Sequence, residues 1–258
     1  MSQKGRLDAR WLEPLDREYQ AAGALELEKA MTGEAIITCR DGRSFSFLPA
    51  KTALLIIDMQ RDFLDPQGMC GLEGEAYLQL RAIIPTVQAS LEAARTAGLT
   101  VIHTREGYAA DLSDLPASRH GGHVGRTGPL GRFLVRGEAG HDFIAELPPA
   151  LGEAVIDKPG FGAFFRTGLE DSLKRAGITH LLFGGVTTQC CVLSSLREAV
   201  DRGFFCLLLD DCCAALEPAW HQATLDIIAS EGNLFGWIAT SAALRNALLQ
   251  HGSHEPAR

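Results

Sequence analysis

Six short, unbroken apolar runs, set between longer segments of helical periodicity, constrain this chain more than any other feature. They are TALLIID (52–58), LTVIHT (99–104), EAVIDK (153–158), THLLFGGV (179–186), FFCLLLDD (204–211) and NLFGWIAT (233–240). A run without polar alternation marks a strand covered on both faces. Helical patterns occupy about 75–97, 166–176, 191–203, 217–231 and 241–250, three of them stopped at Gly98, Gly177 and Gly203. Strands alternating with helices predict an α/β fold: a doubly wound, mostly parallel six-stranded sheet of Rossmann type, with helices on both faces and right-handed crossovers. One connection breaks the rhythm. Residues 105–150, rich in Gly, His, Arg and Pro, are too long for an ordinary loop in a compact domain, and such segments are usually functional.

A length of 258 residues suits one large domain over 51–250. Residues 1–50 read as an N-terminal extension. It holds a helix over 14–31 and a hairpin over 35–47 turning at Asp41-Gly42, and it is expected to cover an edge or a neighbouring subunit, or to form a flexible arm. Residues 251–258 are a tail. A net charge of −8 argues against a nucleic acid or an anionic membrane as partner. No apolar run approaches a membrane span, and MSQKGRLDARWLEPLDREYQ lacks the apolar core of a signal peptide, so a cytoplasmic location is expected. The seven cysteines are Cys39, Cys70, Cys190, Cys191, Cys206, Cys212 and Cys213. They include two vicinal pairs and no zinc-finger spacing, and fit reduced thiols, most of them small core residues.

Ligands on such sheets bind at the carboxyl ends of the strands. There the chain places Asp58, Thr104 to Glu106, Lys158, Thr187 to Cys191, and Asp210-Asp211. A thiol where a strand gives way to a helix meets unpaired N–H groups and the positive end of the dipole, which favour a thiolate. A lysine beside it would add positive charge, and an aspartate could move the proton. Cysteine, base and cation together describe nucleophilic attack on a carbonyl carbon. Physics alone does not choose between Cys190 and Cys191.

Four segments carry a resemblance: LLIIDMQRDF (54–63), VIHTREG (101–107), IDKPGFGAF (156–164) and GVTTQCCV (185–192) followed by LREA (196–199). In order and spacing they resemble the isochorismatase-like cysteine hydrolases over about 51–245. The resemblance implies Cys191 as nucleophile, Asp58 as proton carrier and Lys158 as the cation. It implies a cis peptide at Val186–Thr187 and an oxyanion hole made by the N–H groups of Thr187 and Cys191. Isochorismate hydrolases proper lack the cysteine, so its presence implies hydrolysis of a C–N bond. No cofactor or metal is implied, and homo-oligomers, often tetramers, are common.

HTREGYAADLSDLP (103–116), GRFLVRGEAGHDFIAEL (131–147), REAVDRGFFCLLLDDCCAA (197–215) and LFGWIATSAAL (234–244) are similar to the ureide-cleaving branch, biuret hydrolase above all. Two positions depart: Phe161 stands where the family often has lysine, and Glu231 stands near where biuret hydrolase has glutamine. If both face the pocket, the exchange favours a cationic ureide such as guanylurea, its amidino group held by Glu231. Phe63, Phe161 and Phe164 are the other candidates for the substrate wall. His120 and His123 are too few for a metal site. Asp111 and Asp114 are expected to stabilise their loop, Asp210 to Cys213 to be structural, Arg105 and Glu106 to pair with each other, and Cys190 to point away. Rival readings are hydrolysis of triuret, ureidoacrylate or another small amide, and a thiol redox or binding protein that uses the vicinal cysteines.

Overall fold

All six apolar runs become strands of one parallel sheet. The structure is a computed structural model and describes residues 33–252; the helix expected over 14–31 lies outside the described residues. A hairpin of β1 (Ala35–Thr38) and β2 (Ser44–Phe47) precedes the sheet. The sheet comprises β3 (Thr52–Ile57), β4 (Thr100–Glu106), β7 (Ala154–Lys158), β8 (His180–Val186), β9 (Phe205–Ala214) and β10 (Trp237–Ala239). Two-residue strands β5 (Thr127–Gly128) and β6 (Gly131–Arg132) pair within the long connection. The main sheet runs in the order β10-β9-β8-β3-β4-β7.

The alternating faces of β3 explain the layers. Leu54 and Ile56 enter one apolar cluster with Val87 and Leu91 of α1 (Ile84–Thr96), Leu244 and Leu248 of α5 (Ser241–Gly252), and Ile37, Phe45 and Phe47 of the hairpin. Ala53, Leu55 and Ile57 enter the other, with α2 (Leu169–Arg175), α3 (Leu193–Asp201) and α4 (Pro218–Asn233). Side chains of successive strand residues point to opposite faces, so an all-apolar strand is what two helical layers require.

The single helix expected over 75–97 is two pieces, Tyr77–Arg81 and α1. Pro85 sits in the first turn of α1, where its missing N–H costs nothing; carried into a continuous helix it would break the ladder. Helix α4 is kinked at Ser230, Glu231 and Gly232, with Glu231 at φ +52. Among the described residues no helix is long and apolar enough to cross a membrane.

The chain runs from β3 outward to β4 and β7, then returns to the other side of β3 with β8. The crevice beyond the carboxyl ends of β3 and β8 is therefore the topological switch point, where ligands of such sheets bind.

Candidate active site

Four strand ends converge on that crevice. Asp58 follows β3, Glu106 ends β4, Lys158 ends β7, and Cys191 follows β8 within a wide helical turn, Thr188–Val192, that leads into α3. Asp58, Glu106, Lys158 and Cys191 are all buried. Asp58 takes φ +50, an uncommon conformation for a residue with a Cβ. The Val186–Thr187 peptide is cis.

Lys158 Nζ lies 2.8 Å from Asp58 Oδ2 and 4.0 Å from Glu106 Oε2, and donates to Gly160 O at 2.8 Å. Thr104 Oγ1 donates to Asp58 Oδ1 at 2.6 Å. The Cys191 thiol donates to Glu106 Oε2 at 3.4 Å. On the far side of Glu106, Oε1 accepts from the Tyr108 hydroxyl at 2.9 Å and from Arg119 Nη2 at 3.0 Å, and Arg119 also bonds the Tyr108 hydroxyl.

The charges set the protonation states. Burial alone would discharge Lys158, but Asp58, Cys191 and Glu106 around it raise its pKa, so the ammonium persists. Burial raises Asp58 against the opposing pull of Lys158. Cys191 is pushed well above the ordinary thiol range by a hydrogen bond with Cys190 and by burial; Lys158 opposes this, while Asp58 and Glu106 add to it. The direction is opposite to that expected of a thiol at a helix start, because the Cys190 hydrogen bond, burial and two carboxylates act against the ammonium. A base must take the proton during reaction.

Ligand atoms of Asp58, Glu106 and Cys191 all lie within 4.8 Å of one another, a set that could frame a metal ion. The Lys158 ammonium already stands against both carboxylates and supplies the cation there.

A cavity of about 610 Å³ opens onto Cys191, within the size range of small-molecule sites. Phe63, Phe133 and Phe161 form apolar wall, Glu106 and Thr187 face it, and the 105–150 segment roofs it with Arg119. Phe63 and Phe133 meet edge to face at 5.9 Å. The Arg119 guanidinium lies 4.2 Å over the Phe161 ring. Asp62, below the roof, accepts from Leu134 N at 2.8 Å, and burial lifts its pKa to about 6. Gln60 ties the roof to the sheet: its Nε2 donates to the carbonyls of Glu106 and His141, and its Oε1 accepts from Glu106 N.

The structure thus brings Asp58, Lys158, Thr187 and Cys191 together with Phe63 and Phe161 at one cavity. It does not bring Phe164 or Glu231 there. Phe164 is buried in the helical layer beside Phe204, with Arg202 over its ring, because its backbone N–H is drawn to Glu198. Glu231 lies at the far end of α4, which runs from the carboxyl end of β9 back to the start of β10. The neighbouring Gly232 O accepts from Arg43, and Asn233 bonds Asp41 in the hairpin turn. Glu231 is thus at the amino end of the strands, whereas Cys191 is at their carboxyl end.

Two other expectations are corrected. Cys190 lines the cavity instead of pointing away. Arg105 and Glu106 do not pair: Arg105 binds Asp157 through two nitrogens, at 2.7 and 3.1 Å, while Glu106 faces the thiol. Strand alternation was the available signal, since Thr104 and Glu106 share one face of β4 and Arg105 takes the other. His123 pairs with Glu73 at 3.2 Å and His120 with Leu115 O at 3.1 Å. Asp111 caps Ser113 N, and Asp114 accepts from Ala109 N and pairs with Arg136. Asp211 holds the start of α5 through Ser241.

The isochorismatase domain matches residues 52–243. The protein belongs to the isochorismatase family. Over 217 residues this family member is 31% identical to the ureidoacrylate amidohydrolase RutB of Serratia proteamaculans (strain 568), covering 80% of this chain and 86% of that one. It is 30% identical over 209 residues to RutB of Azorhizobium caulinodans, with 78% and 91% covered. A solved isochorismatase family protein from Desulfovibrio vulgaris subsp. vulgaris str. Hildenborough superposes with a TM-score of 0.66 at 28% identity, over 77% of this chain and 98% of that one. A cysteine hydrolase from Pseudomonas syringae pv. phaseolicola 1448A shares the fold, with a TM-score of 0.68 at 24% identity, over 80% and 95%.

Proposed function

We propose that this chain is a cysteine-dependent amidohydrolase that cleaves a small ureide, guanylurea or biuret, through a covalent Cys191 intermediate and releases ammonia. Hydrolysis of carbon–nitrogen bonds in linear amides is the enzyme class. The observation that carries the reading is a buried thiol at a cavity floor, ringed by an ammonium and two carboxylates. Sulfur attacks the ureido carbonyl, the thiol proton passes to a carboxylate, and the carbonyl electrons move onto oxygen. The N–H groups of Thr187 and Cys191 receive that oxyanion. The C–N bond then breaks, the departing nitrogen takes the proton, and water releases the acyl group from Cys191. Lys158 keeps the site supplied with positive charge while sulfur becomes anionic. The family resemblance gives the proton-carrying role to Asp58.

A cationic ureide is favoured by the cavity wall. Phe161 stands where the family often has a lysine, and Glu73 faces the cavity; a carboxylate can pair an amidino group through two hydrogen bonds. Glu231 no longer supports this preference, since it lies away from the cavity. The test is ammonia release from guanylurea, biuret, triuret, ureidoacrylate and simple amides, with Cys191→Ser as control. Guanylurea is expected to be the best substrate, with a thiocarbamoyl or acyl adduct on Cys191 by mass spectrometry and none in the variant. A preference for biuret would end the cationic reading. Full activity of Cys191→Ser would end the nucleophile assignment.

A further inference from the structure

Arg119 brings a guanidinium to the cavity, and its surroundings are those that would hold a guanidinium from solution. Its Nη2 donates to Glu106 Oε1 at 3.0 Å. Its charge lies 4.2 Å over the Phe161 ring and 5.2 Å from the Tyr108 ring, and it also bonds the Tyr108 hydroxyl. One buried carboxylate and two aromatic faces make a cage for a flat cation. Glu106, Arg119 and Phe161 all line the cavity. The other oxygen of the same carboxylate, Oε2, accepts from the Cys191 thiol at 3.4 Å, so the cage stands one carboxylate away from the sulfur.

The cage and its occupant differ in how firmly they are held. Glu106 and Tyr108 are buried at the end of β4. Arg119 comes from the roof, where it ends a single turn, Ala117–Arg119, that leads into His120-Gly121-Gly122-His123. Its side chain is 23% exposed, so it can leave without unpacking a core.

We infer that Arg119 is a tethered stand-in for the cationic end of the substrate: it competes with the amidino group for the Glu106–Phe161 cage and is displaced on binding. This rests on the reading of the substrate as a cationic ureide. It gives the buried Glu106 a part that Glu73 fills poorly, because Glu73 is half exposed and already paired with His123. In guanylurea one nitrogen joins the amidino carbon to the carbonyl carbon, so a cation in the cage turns the carbonyl toward Cys191. A neutral ureide cannot replace Arg119 without leaving the carboxylate unpaired, and it is disfavoured for that reason. A ligand for a site that is open only part of the time binds more weakly by that fraction. With Arg119 in the cage nine-tenths of the time or more, its removal tightens cation binding by at least about tenfold.

The test uses guanidinium chloride at millimolar concentration, far below denaturing levels, as a probe that protects Cys191 from iodoacetamide in the full chain. Peptide fragmentation by mass spectrometry separates Cys191 from Cys190. Half-protection in Arg119→Ala is expected at a guanidinium concentration at least about tenfold lower than in the wild type. Urea, of the same shape without the charge, is expected to protect both proteins equally poorly. The gain is expected to vanish in the double variant Arg119→Ala, Glu106→Gln. Equal or weaker guanidinium protection in Arg119→Ala, urea protecting that variant as well as guanidinium does, or a gain that survives Glu106→Gln would overturn the assignment. Should Arg119→Ala fail to fold, Arg119→Gln keeps most of the side-chain length without the charge, and the same outcomes apply. Guanylurea refused as a substrate by the wild type, with guanidinium behaving as stated, would remove the substrate reading and leave the cage standing. Failure of the guanidinium result removes the cage whatever the substrate.

Discussion

Replacing Lys158 with methionine should expose the electrostatic design of the site as a loss of stability that grows with pH. The ammonium is fully buried, 2.8 Å from Asp58 and 4.0 Å from Glu106. At an effective dielectric of about 20 these separations give attractions of about 6 and about 4 kcal/mol. Desolvation of the three charges cancels much of that, so the useful figure is the cost of breaking a buried pair by removing one partner, about 3–5 kcal/mol. Methionine keeps most of the volume of the lysine stem, so the loss reports charge and not a cavity. Deprived of the cation, one carboxylate will hold a proton in the folded state, its pKa raised above the unfolded value of about 4. An acid raised in this way leaves the folded state undisturbed below its unfolded pKa and costs stability as pH rises above it. Urea unfolding at pH 8 should therefore show a loss of about 3–5 kcal/mol, shrinking by at least about 1 kcal/mol at pH 5. The double variant Lys158→Met, Asp58→Asn should recover part of it. A loss below about 1 kcal/mol, or the same loss at both pH values, would refute the argument.

Two further outcomes follow from the scaffold. Gly185 has φ +118, and a Cβ there would lie 2.1 Å from Ile57 O on the neighbouring strand; Gly185→Ala should cost about 3 kcal/mol or more by thermal melting, and a wild-type midpoint would contradict the register of β3 against β8. His141 is buried, and burial with Arg105 nearby lowers its pKa to about 4. Its unfolded form takes up a proton near 6.5 and its folded form does not until near 4, so the stability it lends is present above 6.5 and is lost as pH falls through that window. The loss should reach about 3 kcal/mol in total, at about 1.4 kcal/mol per pH unit. His141→Gln should show an acid-side slope smaller by one proton; an unchanged slope would show that another group carries it.

Much of the architecture was legible because burial on two faces leaves a local mark. The unbroken apolar runs, the intervening 3.6-residue periods and the turn at Asp41-Gly42 each record an environment in a few neighbouring residues. Chemistry at strand ends was legible for the same reason, since the ends of strands can be counted. The fracture of the 75–97 helix was also written locally, in Pro85, but a strong periodicity on both sides masked it.

What the chain alone determined is therefore the layered α/β sheet, the place of the crevice, and the position of Asp58, Lys158 and Cys191 at strand ends around it. Tertiary structure decided which other groups meet them. Glu106 reaches the thiol only because β4 and β7 are paired with Glu106 opposite Lys158, and Phe164 turns into the core because Glu198, 34 residues later, captures its N–H. Glu231 is carried to the opposite, amino-terminal end of the sheet by the direction of α4, and two carboxylates from separate strands act with burial and the Cys190 hydrogen bond to raise the thiol pKa against the ammonium. Each of these is a long-range distance, and electrostatic energy depends on distance through space, which spacing along the chain does not encode.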